Sequence, residues 1–189
     1  MIGLPVVFTI GHSTRSAEEL LQLLAAQGVR TVVDVRTLPG SRRFPQFNRE
    51  PLGESLRGVG IGYRHMPALG GLRKPRKDSP NGAWRNDSFR GFADYMLTPE
   101  FEKGLDELMR EARATVVALL CAEAVPWRCH RSLISDALSV RGFPVEHIVG
   151  GQKTSPHQLT KWARVEGLRV TYPPSEPDAT SLQGSAGIP

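Results

Sequence analysis

No stretch of this sequence approaches the roughly 20 consecutive apolar residues of a membrane span, and its first residues lack the basic region, apolar core and cleavage site of an export signal. We therefore expect a cytoplasmic protein with no membrane partner. Cysteine is scarce: Cys121 and Cys129 are the two in 189 residues. Two cysteines cannot build a disulfide-rich scaffold, and a chain long enough for a sizeable core needs no staples, so both are expected to be reduced thiols. No GxGxxG follows the first apolar run, which leaves dinucleotide binding unsupported. Neither CxxC nor HxxxH spacing occurs, so no metal or other cofactor is assigned from spacing.

What is present is unevenly distributed. The net charge is +5, yet residues 36–90 hold twelve Lys/Arg against four Asp/Glu, so that segment carries +8 and the remainder −3. Within it lie Arg42 and Arg43 beside Phe44 and Phe47, then Arg73, Lys74, Arg76 and Lys77, then Trp84. Basic side chains interleaved with rings suit a phosphate-bearing partner, DNA or RNA included, with aromatics available to stack on bases. The plain alternative is a solvated basic loop.

Apolar patterning gives alternating strands and helices. Strands are expected at 6–10, 31–35, 61–66, 115–120 and 145–149, and helices from Ser16 to Gly28, at 51–56, 89–96, 99–112, 132–138 and from Ser155 through Arg164. Ser16 with Glu19 forms a capping box, and Thr98 with Pro99 a helix start. Residues 70–88, rich in Gly, Pro and Lys/Arg, read as a long loop, functional or mobile, with Gly70, Gly71 and Gly82 as hinges of a lid. The sum is one Rossmann-like α/β domain over residues 1–172: three layers, a mostly parallel sheet of about five strands and helices on both faces, with a disordered tail at 173–189.

In such a sheet the strand ends share one edge, where ligands bind. Here they bring together His12 and Ser13, Arg36 with Ser41 beyond it, His65, and the stretch Cys121 to Arg131, which places two thiols, a carboxylate, an imidazole and two guanidiniums within eleven positions. Several chemistries fit. Cys129, at a helix start beside Arg128, His130 and Arg131, is expected to be the thiolate. Cys121 and Arg128 are seven apart with no glycine between them, which departs from the phosphate loops of protein phosphatases and arsenate reductases. A metal bound at Cys121, Cys129 and His130 is a second chemistry. Glu123 as general base or nucleophile, with His12 or His65 as acid/base partner, is a third. Ser13, Arg36, Ser41, Arg128, His130 and Arg131 are the expected substrate-binding set, Arg36 and Arg131 holding a phosphate.

Thr9-Ile10-Gly11-His12-Ser13, Val33-Asp34-Val35-Arg36 with Pro39 and Ser41, Tyr63 to Gly71, and Cys121-Ala122-Glu123 followed by Cys129-His130-Arg131 resemble, in order, the signatures of the family described as domain of unknown function 488. The likeness runs from about residue 8 to about residue 172 and implies a Rossmann-like fold in a bacterial cytoplasmic protein. It carries no activity. From the residues we expect an enzyme, a transferase or hydrolase, acting on a nucleotide or nucleic acid. The alternatives are a non-catalytic nucleic-acid-binding module and a thiol- or metal-dependent enzyme using Cys121 and Cys129. Oligomeric state is not indicated.

Overall fold

The computed structural model describes residues 3–151 and 153–175. The apolar runs become strands: β1 (Val7–Gly11), β2 (Thr31–Asp34), β3 (Gly62–His65), β4 (Val117–Cys121) and β5 (Val145–Gly150), with β6 (Lys153–Pro156) added. Between them lie α1 (Ala17–Ala26), α2 (Arg49–Gly58), α3 (Asp87–Tyr95), α4 (Pro99–Ala114) and α5 (Arg131–Ser139). The sheet order is β3-β2-β4-β1-β5-β6, parallel throughout except for β6. The fold is thus α/β and Rossmann-like, with helices on both faces.

The central strand explains the layering. All five residues of β4 are buried, which requires cover on both faces and accounts for its uninterrupted apolar sequence. Ala118 and Leu120 pack with Leu20, Leu24, Leu52 and Leu56 of α1 and α2. Val117, Leu119 and Cys121 face the other way, into the core made with Phe92, Phe101, Leu105, Leu133 and Ile134 of α3, α4 and α5. Period-two alternation therefore puts Cys121 on the α5 side of the sheet. Because β4 returns between β2 and β1, its C-terminal loop is flanked by the loops that follow both.

The capping signals hold: Ser16 Oγ accepts from Glu19 N at 3.0 Å, and Thr98 Oγ1 from Phe101 N at 3.3 Å. The helix expected at 155–164 does not form. Gly150 and Gly151 (φ 155° and 56°) turn the chain back as β6, antiparallel to β5, and Arg164–Glu166 (β7) then pairs with Arg169–Thr171 (β8) in a separate hairpin. Between them Asp136 takes His157 Nε2, Thr160 N and Thr160 Oγ1, so side-chain bonds to a buried carboxylate hold this segment out of a helix. The expected tail at 173–189 lies outside the described residues from 176 onward. No helix among the described residues is long and apolar enough to cross a membrane.

Candidate functional site

The loop after β4 is set by close backbone approaches. Pairing of β1 with β4 continues past both strands through His12 N to Cys121 O (3.0 Å) and Ser13 N to Ala122 O (2.8 Å), Ser13 taking the left-handed conformation at φ 49°. A Cβ on Gly11 would sit 1.7 Å from the Glu123 carbonyl oxygen, so only glycine lets the loop fold across β1 here. From below, Arg131, 1 % exposed, donates to the carbonyls of Glu123 (2.6 Å) and Ala124 (2.8 Å). A short 3-10 turn over Pro126–Arg128 then delivers Cys129 and His130 to the start of α5.

His130 joins these pieces. Its Nε2–H donates to Val35 O at 2.9 Å, which turns Nδ1 toward the two sulfurs, 3.7 Å from Cys129 Sγ and 4.0 Å from Cys121 Sγ. The three side-chain donor atoms lie within 4.8 Å of one another. A Cβ on Gly71 would come 2.5 Å from Nδ1, so a bare backbone covers the imidazole. Both cysteines are free. The neighbouring Cys129 side chain, with His130 and Arg131 adding to the effect, holds the Cys121 thiol well below the ordinary thiol range. Burial pushes the Cys129 thiol well above that range, and the nearby Cys121 adds to the shift. The bias toward thiolate expected of Cys129 thus falls on Cys121 at the strand end, whose thiol is shifted down where that of Cys129 is shifted up.

The cluster floors a cleft of about 380 Å³. Its walls are largely apolar, Leu38, Leu72, Phe89 and Ala122, with Arg128 and Glu123 as exposed charged groups on the lining. Arg36 reaches the lining too, but its guanidinium is committed: to the Asp34 carboxylate at 2.5 Å, to Phe47 O at 2.8 Å and toward His12 Nε2 at 3.4 Å. Both terminal nitrogens of Arg131 are likewise taken by loop carbonyls, while its buried Nε has no hydrogen-bond partner among the described residues. The bonds seen for the two expected phosphate-holding guanidiniums are thus to protein groups. Arg128 is the expected anion binder that the structure leaves facing the cleft.

Other expected residues lie apart from the cluster. Glu123 lines the cleft but is exposed rather than enclosed. His12 is buried, stacks on Phe47 with ring centroids 4.4 Å apart and donates from Nδ1 to Ser13 O, burial chiefly lowering its pKa. His65 bonds Arg36 O through Nε2, and Ser41 Oγ accepts from Phe44 N, so both brace loops outside the cleft lining.

In the basic segment Arg42, Arg43, Lys74 and Lys77 are exposed. Arg73 lies over the Tyr95 ring at 3.7 Å, and Arg76 pairs with Asp78. Trp84 is not a free stacking platform: it packs on Phe89 at 4.7 Å and meets Trp162 and Tyr172 edge-on.

Three buried carboxylates organise the surroundings: Asp34, which the sequence places in a family signature at a strand end, and Asp94 and Asp136, which the sequence reading did not single out. Asp34 takes Arg36 and Tyr63 Oη. Asp94 takes Arg76 N, Ser79 Oγ and Asn81 Nδ2, tying down the loop read as a lid. Asp136 takes His157, Thr160 and Tyr172 Oη. Position in an apolar helix face, at Asp94 and Asp136, was the available signal: a carboxylate there is buried only if donors surround it.

A family model, Domain of unknown function DUF488, matches residues 16–138, and the chain belongs to that family. The matched span ends inside α5, short of the reach expected from the motifs. No curated protein and no solved structure gives a match.

Proposed function

We propose that this DUF488 protein is an enzyme performing transfer or hydrolysis on a small phosphate-bearing molecule of nucleotide size, with Cys121, Cys129 and His130 as its reaction centre. The observation that carries this reading is their convergence at the floor of a cleft on the C-terminal edge of the sheet. The cleft volume, about 380 Å³, is of the order that encloses one small ligand rather than a polymer. Leu38, Leu72 and Phe89 offer an apolar cradle for a base, Arg128 a guanidinium for the phosphate, and Glu123 a carboxylate at the mouth. The reaction centre thus moves from Glu123 to the sulfur cluster.

Calorimetric titration with adenosine monophosphate and with adenosine tests the ligand class. Binding of the nucleotide at least about tenfold tighter than the nucleoside, with the difference lost in Arg128→Ala, supports it; equal binding overturns it. Turnover across a nucleotide panel should vanish in folded Cys121→Ala, and full retention would remove the cluster from the chemistry.

A second reading, nucleic-acid binding, rests on the exposure of Arg42, Arg43, Lys74 and Lys77. Anisotropy with labelled single-stranded DNA decides it: affinity falling steeply with salt, and lost when these four become Ala, supports a strand partner. No binding at low salt removes it.

A further inference from the structure

The geometry points to a transition-metal site formed by Cys121 Sγ, Cys129 Sγ and His130 Nδ1, with a fourth position open to the cleft and zinc as the ion that suits it. The ion's role rests on the functional reading above; its binding does not.

Metal–ligand distances set the first criterion. A tetrahedral zinc with Zn–S of about 2.3 Å and Zn–N of about 2.0–2.1 Å holds sulfur and nitrogen roughly 3.6 Å apart and two sulfurs roughly 3.8 Å apart. The observed S···N separations of 3.7 and 4.0 Å need at most a few tenths of an ångström of closure to meet that, and the two sulfurs, within 4.8 Å of one another, at most about 1 Å. As hydrogen bonds these contacts are long, and one Nδ1 cannot serve two thiols equally well.

The imidazole supplies a second criterion. Because Nε2–H is engaged by Val35 O, the neutral ring carries its lone pair on Nδ1, the atom facing the sulfurs. A backbone carbonyl fixing the far nitrogen is the outer-shell arrangement that orients histidine ligands. Gly71, packed against the ring, hinders its rotation.

Donor chemistry and number complete the argument. Two thiolates and an imidazole favour zinc over hard cations, and three protein ligands at the floor of a cleft leave a place for water or substrate. On ligation any proton still held by the two sulfurs passes to solvent. A metal-bound water or a polarised phosphoryl oxygen is the chemistry such an ion contributes. The spacing, seven residues between the cysteines with the histidine next to the second, hides the site from motif reading.

The test uses the full chain, chelator-treated, reduced and titrated with cobalt(II). The expected result is a thiolate-to-cobalt charge-transfer band saturating at one ion per chain and abolished by zinc. Cys121→Ser, Cys129→Ser and His130→Ala should each weaken binding about tenfold or more. Absence of the band in wild-type protein, or an unchanged band in both serine variants, overturns the site; the wild-type result does not depend on variants folding. If cobalt binds as described but Cys121→Ala keeps nucleotide turnover, the metal site stands and the functional reading falls. If no band forms yet Cys121→Ala is inactive, the functional reading stands and the centre is a metal-free thiolate.

Discussion

His130 donates Nε2–H to the carbonyl oxygen of Val35 at 2.9 Å, across 95 residues of sequence. This bond fastens the start of α5 to the chain leaving β2, and it decides which nitrogen looks at the sulfurs. The cleft floor is therefore held by the fold rather than by the 121–131 stretch alone.

Gly71→Ala tests that geometry without touching a donor atom. The new methyl would lie 2.5 Å from His130 Nδ1, so the ring must shift. We expect a stability loss of about 1–2 kcal/mol with cobalt binding reduced far more than folding, followed by denaturation and absorption on the same sample.

Gly11→Ala should be severe. A Cβ there meets the Glu123 carbonyl at 1.7 Å, and the obstacle is backbone, which cannot rotate aside. Urea unfolding should show a loss of about 3 kcal/mol or more; a loss below 1 kcal/mol would mean the loop crosses β1 differently.

Asp136→Ala removes the acceptor shared by His157, Thr160 and Tyr172 at a fully buried position. The stranded donors should cost about 3–5 kcal/mol, and Asp136→Asn less, because the amide oxygen still accepts. Chemical denaturation of both variants checks the order.

Asp94→Ala should release residues 76–81, whose bonds converge on that carboxylate. Limited proteolysis should cut between Arg73 and Arg85 faster than in wild type, with Trp84 emission shifting as its aromatic neighbours loosen. Unchanged cleavage would show that the Trp84 cluster alone holds the loop.

Acid should destabilise the protein through His147. Thr9 Oγ1 and His157 Nδ1 bracket its ring at 2.7 and 3.0 Å, His157 leads on to Asp136, and Arg131 acts from nearby. Burial, with repulsion from His157 and Arg131, lowers its pKa from 6.5 to about 4. The unfolded chain therefore binds this proton first: the stability is complete above pH 6.5 and is lost as pH falls from there toward 4. The loss is at most roughly 3 kcal/mol, and His147→Gln should remove that part of the profile in urea titrations at neutral and acid pH.

The five parallel strands and their order along the chain were legible because short apolar or β-favouring runs bounded by polar or turn residues mark them. The clearest is β4, whose burial on both faces demands an uninterrupted apolar run, and the least clear is the edge strand β3, Gly-Tyr-Arg-His, which is half exposed. The shared edge followed from parallel topology, and with it the neighbourhood of Cys121, His130 and Arg36. What could not be read was which side chains are already engaged. Arg36 and Arg131 look alike as cations in sequence, yet their partners, Asp34, Phe47 O and two loop carbonyls, are set by tertiary approach. The opposite shifts of Cys121 and Cys129 arise from burial and from the closeness of the two side chains, which local sequence cannot show. At 150–156 the Gly-Gly pair was a hairpin signal, and the helical reading passed over it.

The sheet order also separates what can be recognised from what the sheet needs. The family match spans 16–138, while β1 and β5 fall outside it, and β1 is the strand lying between β4 and β5. A fragment trimmed to the recognised residues would leave β4 without a partner along one side and Cys121 without the Gly11 backbone beside it. The part of the chain matched by the family model thus lacks a strand that the central sheet pairs with, and a transplant of this centre into another scaffold must carry β1 along to keep the Gly11–Cys121 pairing.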